Sequence, residues 1–127
     1  MVMGNEPGNP ASAFREGLAL FNQGRFFDCH EAWEVVWKQA EGAERLLVQG
    51  LIQVAVALLH VERGNLRGAR SVYAKACAKL DPLPSDLMEI ALEEFRVALR
   101  DFFNDALAGQ ATRSPPRLRP VDSTLPK

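Results

Sequence analysis

Apolar residues recur along this chain at the spacing of α-helices. One face of the segment from residue 85 to 108 carries apolar side chains at i, i+4, i+7, i+11 and i+15, namely Met88, Leu92, Phe95, Leu99 and Phe103. No segment alternates apolar and polar residues as a half-buried strand does. The pattern predicts an all-α fold, a compact antiparallel bundle of about five helices with an extended Pro-rich C-terminal tail.

Glycine and proline mark the predicted ends of the helices. The first helix runs from about residue 11 to 24, the third from 43 to 63, the fourth from 66 to 80 and the fifth from 85 to 108, with Ser85 or Asp86 as its cap. The second helix ends near Gly42. It begins either just after Gly24 or at Asp28, which would then be its N-cap.

These ends divide the 127-residue chain into three parts. Residues 1–10 form a loose N-terminus, residues 11–109 a single helical domain and residues 110–127 a Pro-rich tail. The tail either packs on the bundle through Leu118 and Val121 or extends freely into solvent. A chain of this length can bury a sizeable core.

The third predicted helix is apolar nearly all round, yet it carries a stripe of three polar residues. Its most apolar stretch, residues 46–61, is shorter than the roughly 20 residues that a membrane span needs. Gln49, Gln53 and His60 interrupt or close that stretch. We therefore expect a buried central helix of a soluble protein, with no membrane partner. Because unbonded buried polar groups cost about 1–3 kcal/mol each, the three polar residues need partners.

The second predicted helix offers a polar face that could supply those partners. His30, Glu34 and Trp37 lie at i, i+4 and i+7, and Phe26 and Trp33 are expected to flank the same face. A short antiparallel connection would bring this face against the stripe on the third helix. The sequence therefore predicts a ligand-binding site between the two helices, with six candidate residues: His30, Glu34, Trp37, Gln49, Gln53 and His60.

Three chemical interpretations of this cluster stay open. His30, Glu34 and His60 would form a two-histidine, one-carboxylate set for a divalent transition metal such as Zn, Fe, Mn or Ni. Alternatively, Glu34 orients His30 as a general base. In the third interpretation the residues are a buried hydrogen-bonded group that only stabilises the fold. The stretch HEAWE lacks the second histidine of the H-E-x-x-H metalloprotease motif, and no reaction follows from the sequence.

Charge and cysteine content narrow the partners and the compartment. Fifteen basic residues nearly balance sixteen acidic ones, which argues against a nucleic-acid partner. The exposed face expected for Arg63, Arg67 and Arg70 is interpreted as a solvated surface, although it could hold a phosphate. Two cysteines make no disulfide framework, and the first ten residues do not resemble a signal peptide. A cytoplasmic protein is expected, and a homo-oligomer stays open.

A helical scaffold is the alternative function. Ala69, Tyr73 and Ala76 lie at i, i+4 and i+7 with Pro82 following, as in a tetratricopeptide unit, and the segment after Gly24 weakly echoes it 40 residues upstream. Such repeats run at about 34 residues and need at least three copies for stability, whereas this chain offers two partial ones. In this interpretation the domain binds peptides or serves as a scaffold, and the His/Glu cluster is purely structural.

The residues of the second helix also resemble those of a known family. His30, Glu34 and Trp37 match the pattern H-x-x-x-E-x-x-W/Y of the Domain of Unknown Function 309 family. The blocks LFNQGRFFDCHEAWEVVW, LLVQGLIQVAVALLH and RGNLRGA are similar to it in the same order, over about residues 14–80. The resemblance implies a small helical protein whose motif has been suggested to be functional and metal-binding. It implies no particular activity or substrate.

Overall fold

Five α-helices form the domain. A computed structural model describes residues 9–110 and 114–121. In this part of the chain the elements are α1 (Pro10–Asn22), α2 (Phe26–Gln39), α3 (Gly42–Glu62), α4 (Leu66–Leu80), a 3-10 turn (Leu87–Glu89) and α5 (Leu92–Leu107). Helices α1 to α4 pack against their neighbours in the chain, and α5 packs against α4. The predicted all-α bundle is confirmed. Most of the predicted loose N-terminus lies outside the described residues.

The first two helices form a hairpin whose ends follow from the local sequence. Pro10 opens α1, and the side chain of Asn9 caps it by accepting a hydrogen bond of 3.0 Å from the backbone N–H of Ser12. Helix α2 begins at Phe26, which agrees with the alternative that starts it just after Gly24, and Asp28 is not its N-cap. The Asp28 carboxylate instead pairs with Arg25 at 2.7 Å, inside the first helical turn.

Helix α3 lies at the centre of the core. Its side chains with 1% exposure or less face α2 and α4, namely Leu47, Val48, Leu51, Val54, Ala55, Ala57 and Leu58. Among the described helices, α3 alone is long and apolar enough to cross a membrane. Burial between two neighbouring helices accounts for the same composition, as expected for a core helix.

Helix α5 begins at Leu92, seven residues later than the periodicity predicts. The preceding residues form the 3-10 turn, where Met88 and Glu89 adopt left-handed φ angles of 56° and 60°. A left-handed conformation costs about 1–2 kcal/mol for a residue with a side chain, so neighbouring contacts must hold it in place. Those contacts come from the tail, because Ile90 forms an isolated antiparallel bridge with Pro120. Ser85 and Asp86 therefore do not cap α5.

The described part of the tail packs on the bundle through Leu118. This side chain has no exposed surface, whereas Val121 is 44% exposed. The side-chain amide of Asn22 holds the Leu118 backbone on both sides: its oxygen accepts from the Leu118 N–H at 2.8 Å, and its nitrogen donates to the Leu118 carbonyl at 2.9 Å. Residues 111–113 and 122–127 of the predicted tail lie outside the described residues.

An ion pair beside this contact should make the tail sensitive to acid. Arg119 donates two hydrogen bonds of 2.9 Å to the Glu94 carboxylate, and these bonds lower the pKa of Glu94. Because the folded-state pKa lies below the unfolded value of about 4.3, the pair stabilises the fold above that pH and is lost as pH falls through the lower value. We expect an NMR titration of the Glu94 carboxyl to show a lower midpoint in the native chain than in Arg119→Leu. Equal midpoints would show that the pair does not form.

Candidate functional site

Helix α2 has two distinct faces. Its core face consists of buried Phe26, Cys29, Trp33 and Val36. The Trp33 indole N–H donates a 3.2 Å hydrogen bond to the Phe14 carbonyl of α1. The expectation that Phe26 and Trp33 flank the polar face is therefore wrong, because both belong to the hydrophobic core. The outer face carries His30, Glu34 and Trp37.

His30 and Glu34 form a partly solvated pair on this outer face. His30 Nε2 lies 3.3 Å from Glu34 Oε2, and the two side chains are 27% and 49% exposed. The Phe27 ring, itself 55% exposed, lies 6.4 Å from the imidazole between centroids. A pair with this exposure contributes less than about 1 kcal/mol to stability, so it is not a buried group that holds the core together.

A cleft of about 220 Å³ separates the outer face of α2 from α3. Glu34 and Trp37 line it from α2, and Gln49, Ile52 and Gln53 line it from α3. The structure thus brings four of the six candidate residues to one cavity. His30 is not among the lining residues and contacts the site through Glu34.

Two polar atoms of the lining residues have no hydrogen-bond partner within residues 9–110 and 114–121. These are the indole nitrogen Nε1 of Trp37, a donor, and the amide oxygen Oε1 of Gln53, an acceptor, and both are shielded from solvent. The Arg45 guanidinium lies 4.1 Å from the Trp37 ring centroid, a cation–π contact that sequence reasoning missed. Unpaired buried polar groups are rare in folded proteins, so a donor and an acceptor around one cleft mark it as unusual.

His60, the sixth candidate, lies in the last turn of α3, next to the connection to α4. Its Nδ1 is 3.1 Å from the side-chain nitrogen of Asn65, which caps α4 by accepting from the Gly68 N–H at 3.0 Å. Along the α3 axis His60 is about 10 Å beyond Gln53, because seven residues rise about 1.5 Å each. The histidine thus belongs to a helix-capping arrangement.

The side chains do not fit the predicted metal set. Among the residues that the structure describes, no three His, Cys, Asp or Glu side chains are placed to hold one ion. His30 and Glu34 supply two neighbouring ligand atoms, and His60 is bonded elsewhere.

Two of the larger cavities formed by the described residues lie outside the predicted site. One of about 580 Å³ is bounded by the start of α1, the end of α2 and the 3-10 turn. The other, of about 350 Å³, lies between α4 and α5 and is lined by Cys77 and Arg96 among others. Burial raises the pKa of the Cys77 thiol, which disfavours the nucleophilic thiolate, and Arg96 donates a 2.6 Å bond to the Leu80 carbonyl. No sequence motif indicated either cavity.

Comparison with known proteins identifies a family that the sequence around this site matches. The model of the family described as Domain of unknown function (DUF309) matches residues 14–72, which include the α2 face and the cleft. The chain is also 32% identical over 87 residues to "Uncharacterized protein YpuF" of Bacillus subtilis (strain 168). That alignment covers 67% of this chain and 50% of YpuF, so the chain spans about half the length of this relative. Residues 14–72 therefore belong to the DUF309 family.

Proposed function

We propose that the domain binds a small polar ligand in the cleft between α2 and α3. The proposal rests on one observation, the unpaired Trp37 indole N–H and Gln53 amide oxygen on residues that line the same cleft. Each such group carries a desolvation penalty of about 1–3 kcal/mol, which a ligand can remove by bonding to it. Binding is favoured over catalysis because His30, the candidate base, lies beside the cleft and not in its lining.

Size and charge define the class of ligand. The cleft volume of about 220 Å³ is below the roughly 300–1,000 Å³ of sites for drug-sized molecules. An acceptor on the ligand would bond Trp37, and a donor would bond Gln53. Glu34 adds a partly exposed carboxylate, which disfavours an anion. A small neutral molecule that carries a donor and an acceptor side by side, such as a primary amide or a lactam, meets these conditions.

The state of the two cysteines bears on the cellular compartment. Cys29 and Cys77 are both free thiols, as expected in a reducing environment. The free thiols support our proposal that this binding activity is cytoplasmic.

Substituting Gln53 by methionine tests whether the unpaired amide is retained at a cost to stability. We expect Gln53→Met to raise the free energy of unfolding by about 1 kcal/mol, because an apolar side chain of similar length removes an unbonded buried acceptor. Gln23→Met, at an exposed position in the α1–α2 turn, should change it by less than about 0.5 kcal/mol. Urea denaturation followed by circular dichroism measures both. A loss of stability in Gln53→Met would mean that the amide is already bonded.

Ligand binding is tested through the two indole N–H signals of the chain. In ¹H–¹⁵N NMR spectra, acetamide, 2-pyrrolidone or uracil at millimolar concentration should shift the Trp37 indole signal downfield. The Trp33 signal serves as the internal control and should not move, because the Trp33 indole N–H already donates to the Phe14 carbonyl. The shift should disappear in Gln53→Met and persist in Gln23→Met. The proposal fails if none of the three probes moves Trp37, or if Gln53→Met responds like the native chain.

A further inference from the structure

Residues 118–121 lie extended in a groove whose residues are distinct from those that line the α2–α3 cleft. We call these residues the docked segment. The groove is formed by the end of α1, the residues around the 3-10 turn and the first turn of α5, which contribute Asn22, Glu89, Ala91 and Glu94. The contacts resemble those by which proteins recognise peptides from other chains.

Four hydrogen bonds connect the groove to the backbone of the docked segment. Two come from Asn22 to both polar groups of Leu118. The Ala91 N–H donates to the Arg119 carbonyl at 2.8 Å, and the Val121 N–H donates to the Glu89 carbonyl at 2.8 Å. Backbone contacts of this kind accept any extended peptide, so they supply affinity without fixing its sequence.

Three side chains of the docked segment supply the selectivity. Leu118 is completely buried, and Arg119 forms a two-pronged pair with the Glu94 carboxylate. Pro120 lies opposite Ile90 in the bridge, where the hydrogen bonds come from the residues on either side. A proline therefore fits at this position, since its missing N–H is not needed.

The 3-10 turn shapes the groove for an extended strand. Met88 and Glu89 adopt left-handed backbone conformations, after which Ile90 returns to an extended one. This course of the chain directs the Glu89 carbonyl and the Ala91 N–H toward the docked segment. Strained residues of this kind occur preferentially at ligand clamps.

The covalent connection does not by itself hold the docked segment in the groove. Arg119, which pairs with Glu94 near the start of α5, follows twelve positions after Leu107 at the end of that helix. The distance along α5 from Leu107 to Glu94 is about 20 Å, whereas twelve extended residues can reach roughly 40 Å. The segment can therefore leave the groove without disturbing α5.

We propose that this groove is a recognition site for an extended peptide in which an apolar residue is followed by arginine and proline. The partner is a segment of another protein with that chemistry, and residues 118–121 are a built-in competitor that occupies the site in its absence. Because the competitor is tethered, its effective concentration is high, and a partner peptide binds the native chain only weakly. Weakening the contact between the docked segment and the groove should therefore strengthen binding of the partner peptide.

A charge reversal in the full-length chain tests this competition. The probe is a fluorescein-labelled peptide SPPRLRPV, which has the sequence of residues 114–121, and binding is followed by fluorescence anisotropy. We expect Arg119→Glu to bind the peptide at least about tenfold more tightly than the native chain, because the repelled tail leaves Glu94 free. Arg119 is largely exposed, so the variant should fold, and circular dichroism checks this.

Two further variants decide whether the groove is responsible. Arg117→Glu makes the same charge change at an exposed residue outside the docked segment and should bind like the native chain. Adding Glu94→Lys to Arg119→Glu should abolish the gain for SPPRLRPV. The proposal is overturned if folded Arg119→Glu shows no gain in affinity, if Arg117→Glu gains equally, or if Glu94→Lys leaves the affinity of Arg119→Glu unchanged.

Discussion

Trp33→Ala should lower the free energy of unfolding by about 3–5 kcal/mol, the loss expected when a large buried aromatic side chain is removed. Trp33 has no exposed surface, and its indole ring stacks on Phe21 with centroids 5.8 Å apart. The substitution also leaves the Phe14 carbonyl without the indole N–H that now donates to it. Urea denaturation followed by circular dichroism gives the loss directly, without relying on tryptophan fluorescence.

Trp37→Ala is the matched control, since it removes the same side chain one helical turn later. Trp37 is only partly buried, and its indole N–H has no partner among the residues that the structure describes. We expect the Trp37 variant to lose much less stability than the Trp33 variant while losing the cation–π contact with Arg45. Equal losses would mean that Trp37 is a core residue, and the proposal of a ligand cleft would lose its main support.

The different roles of the two tryptophans show how far periodicity alone could predict this site. The spacing correctly grouped His30, Glu34 and Trp37 on one face of α2, and four candidate residues line one cleft. The same spacing places Trp33 within about 60° of His30, so it could not determine on which side the core begins. That boundary depends on where α1 packs, through Phe14 and its neighbours, which is tertiary information.

His60 shows the limit of angular arguments along a single helix. The residue lies on the same stripe of α3 as Gln49 and Gln53, but two turns farther along the axis. An angle around the helix carries no information about this separation. Asn65, five residues after His60, caps α4 and lies within hydrogen-bonding distance of the imidazole. The histidine therefore has a local partner and does not need one from α2.

The start of α5 was mispredicted because the residues that hold the preceding turn out of the helix are distant in sequence. Met88 matches the helical stripe of the fifth helix, yet the backbone around it bonds to residues 119 and 121. The tail is held in turn by Asn22, 96 residues away from Leu118. A single sequence offers no signal for such a pairing. The burial of α3 could be predicted because many apolar residues along that helix indicate it.

Gly17→Ala should destabilise the domain by about 1–3 kcal/mol, although alanine is the better helix former by about 1 kcal/mol. A Cβ atom at Gly17 would lie 2.7 Å from Cε2 of Trp33 and closer still to Nε1 and Cδ1 of the same ring. An indole packed against Phe14 and Phe21 is rigid and cannot move aside without opening the core. Helices α1 and α2 would have to separate, which should weaken the hydrogen bond from Trp33 to Phe14.

Two further substitutions separate this steric effect from helix propensity. Ala19→Gly, at an exposed position of α1, should lose about 1 kcal/mol through propensity alone. At Gly50 a new Cβ would meet Cδ2 and Cγ of Leu80 at 2.6 and 2.8 Å, atoms of one aliphatic side chain and not of a rigid ring stacked on two others. Gly50→Ala should therefore lose less than Gly17→Ala in the same denaturation assay. If Gly17→Ala were instead more stable than the native chain, α1 and α2 could not pack as closely around Trp33 as the structure requires.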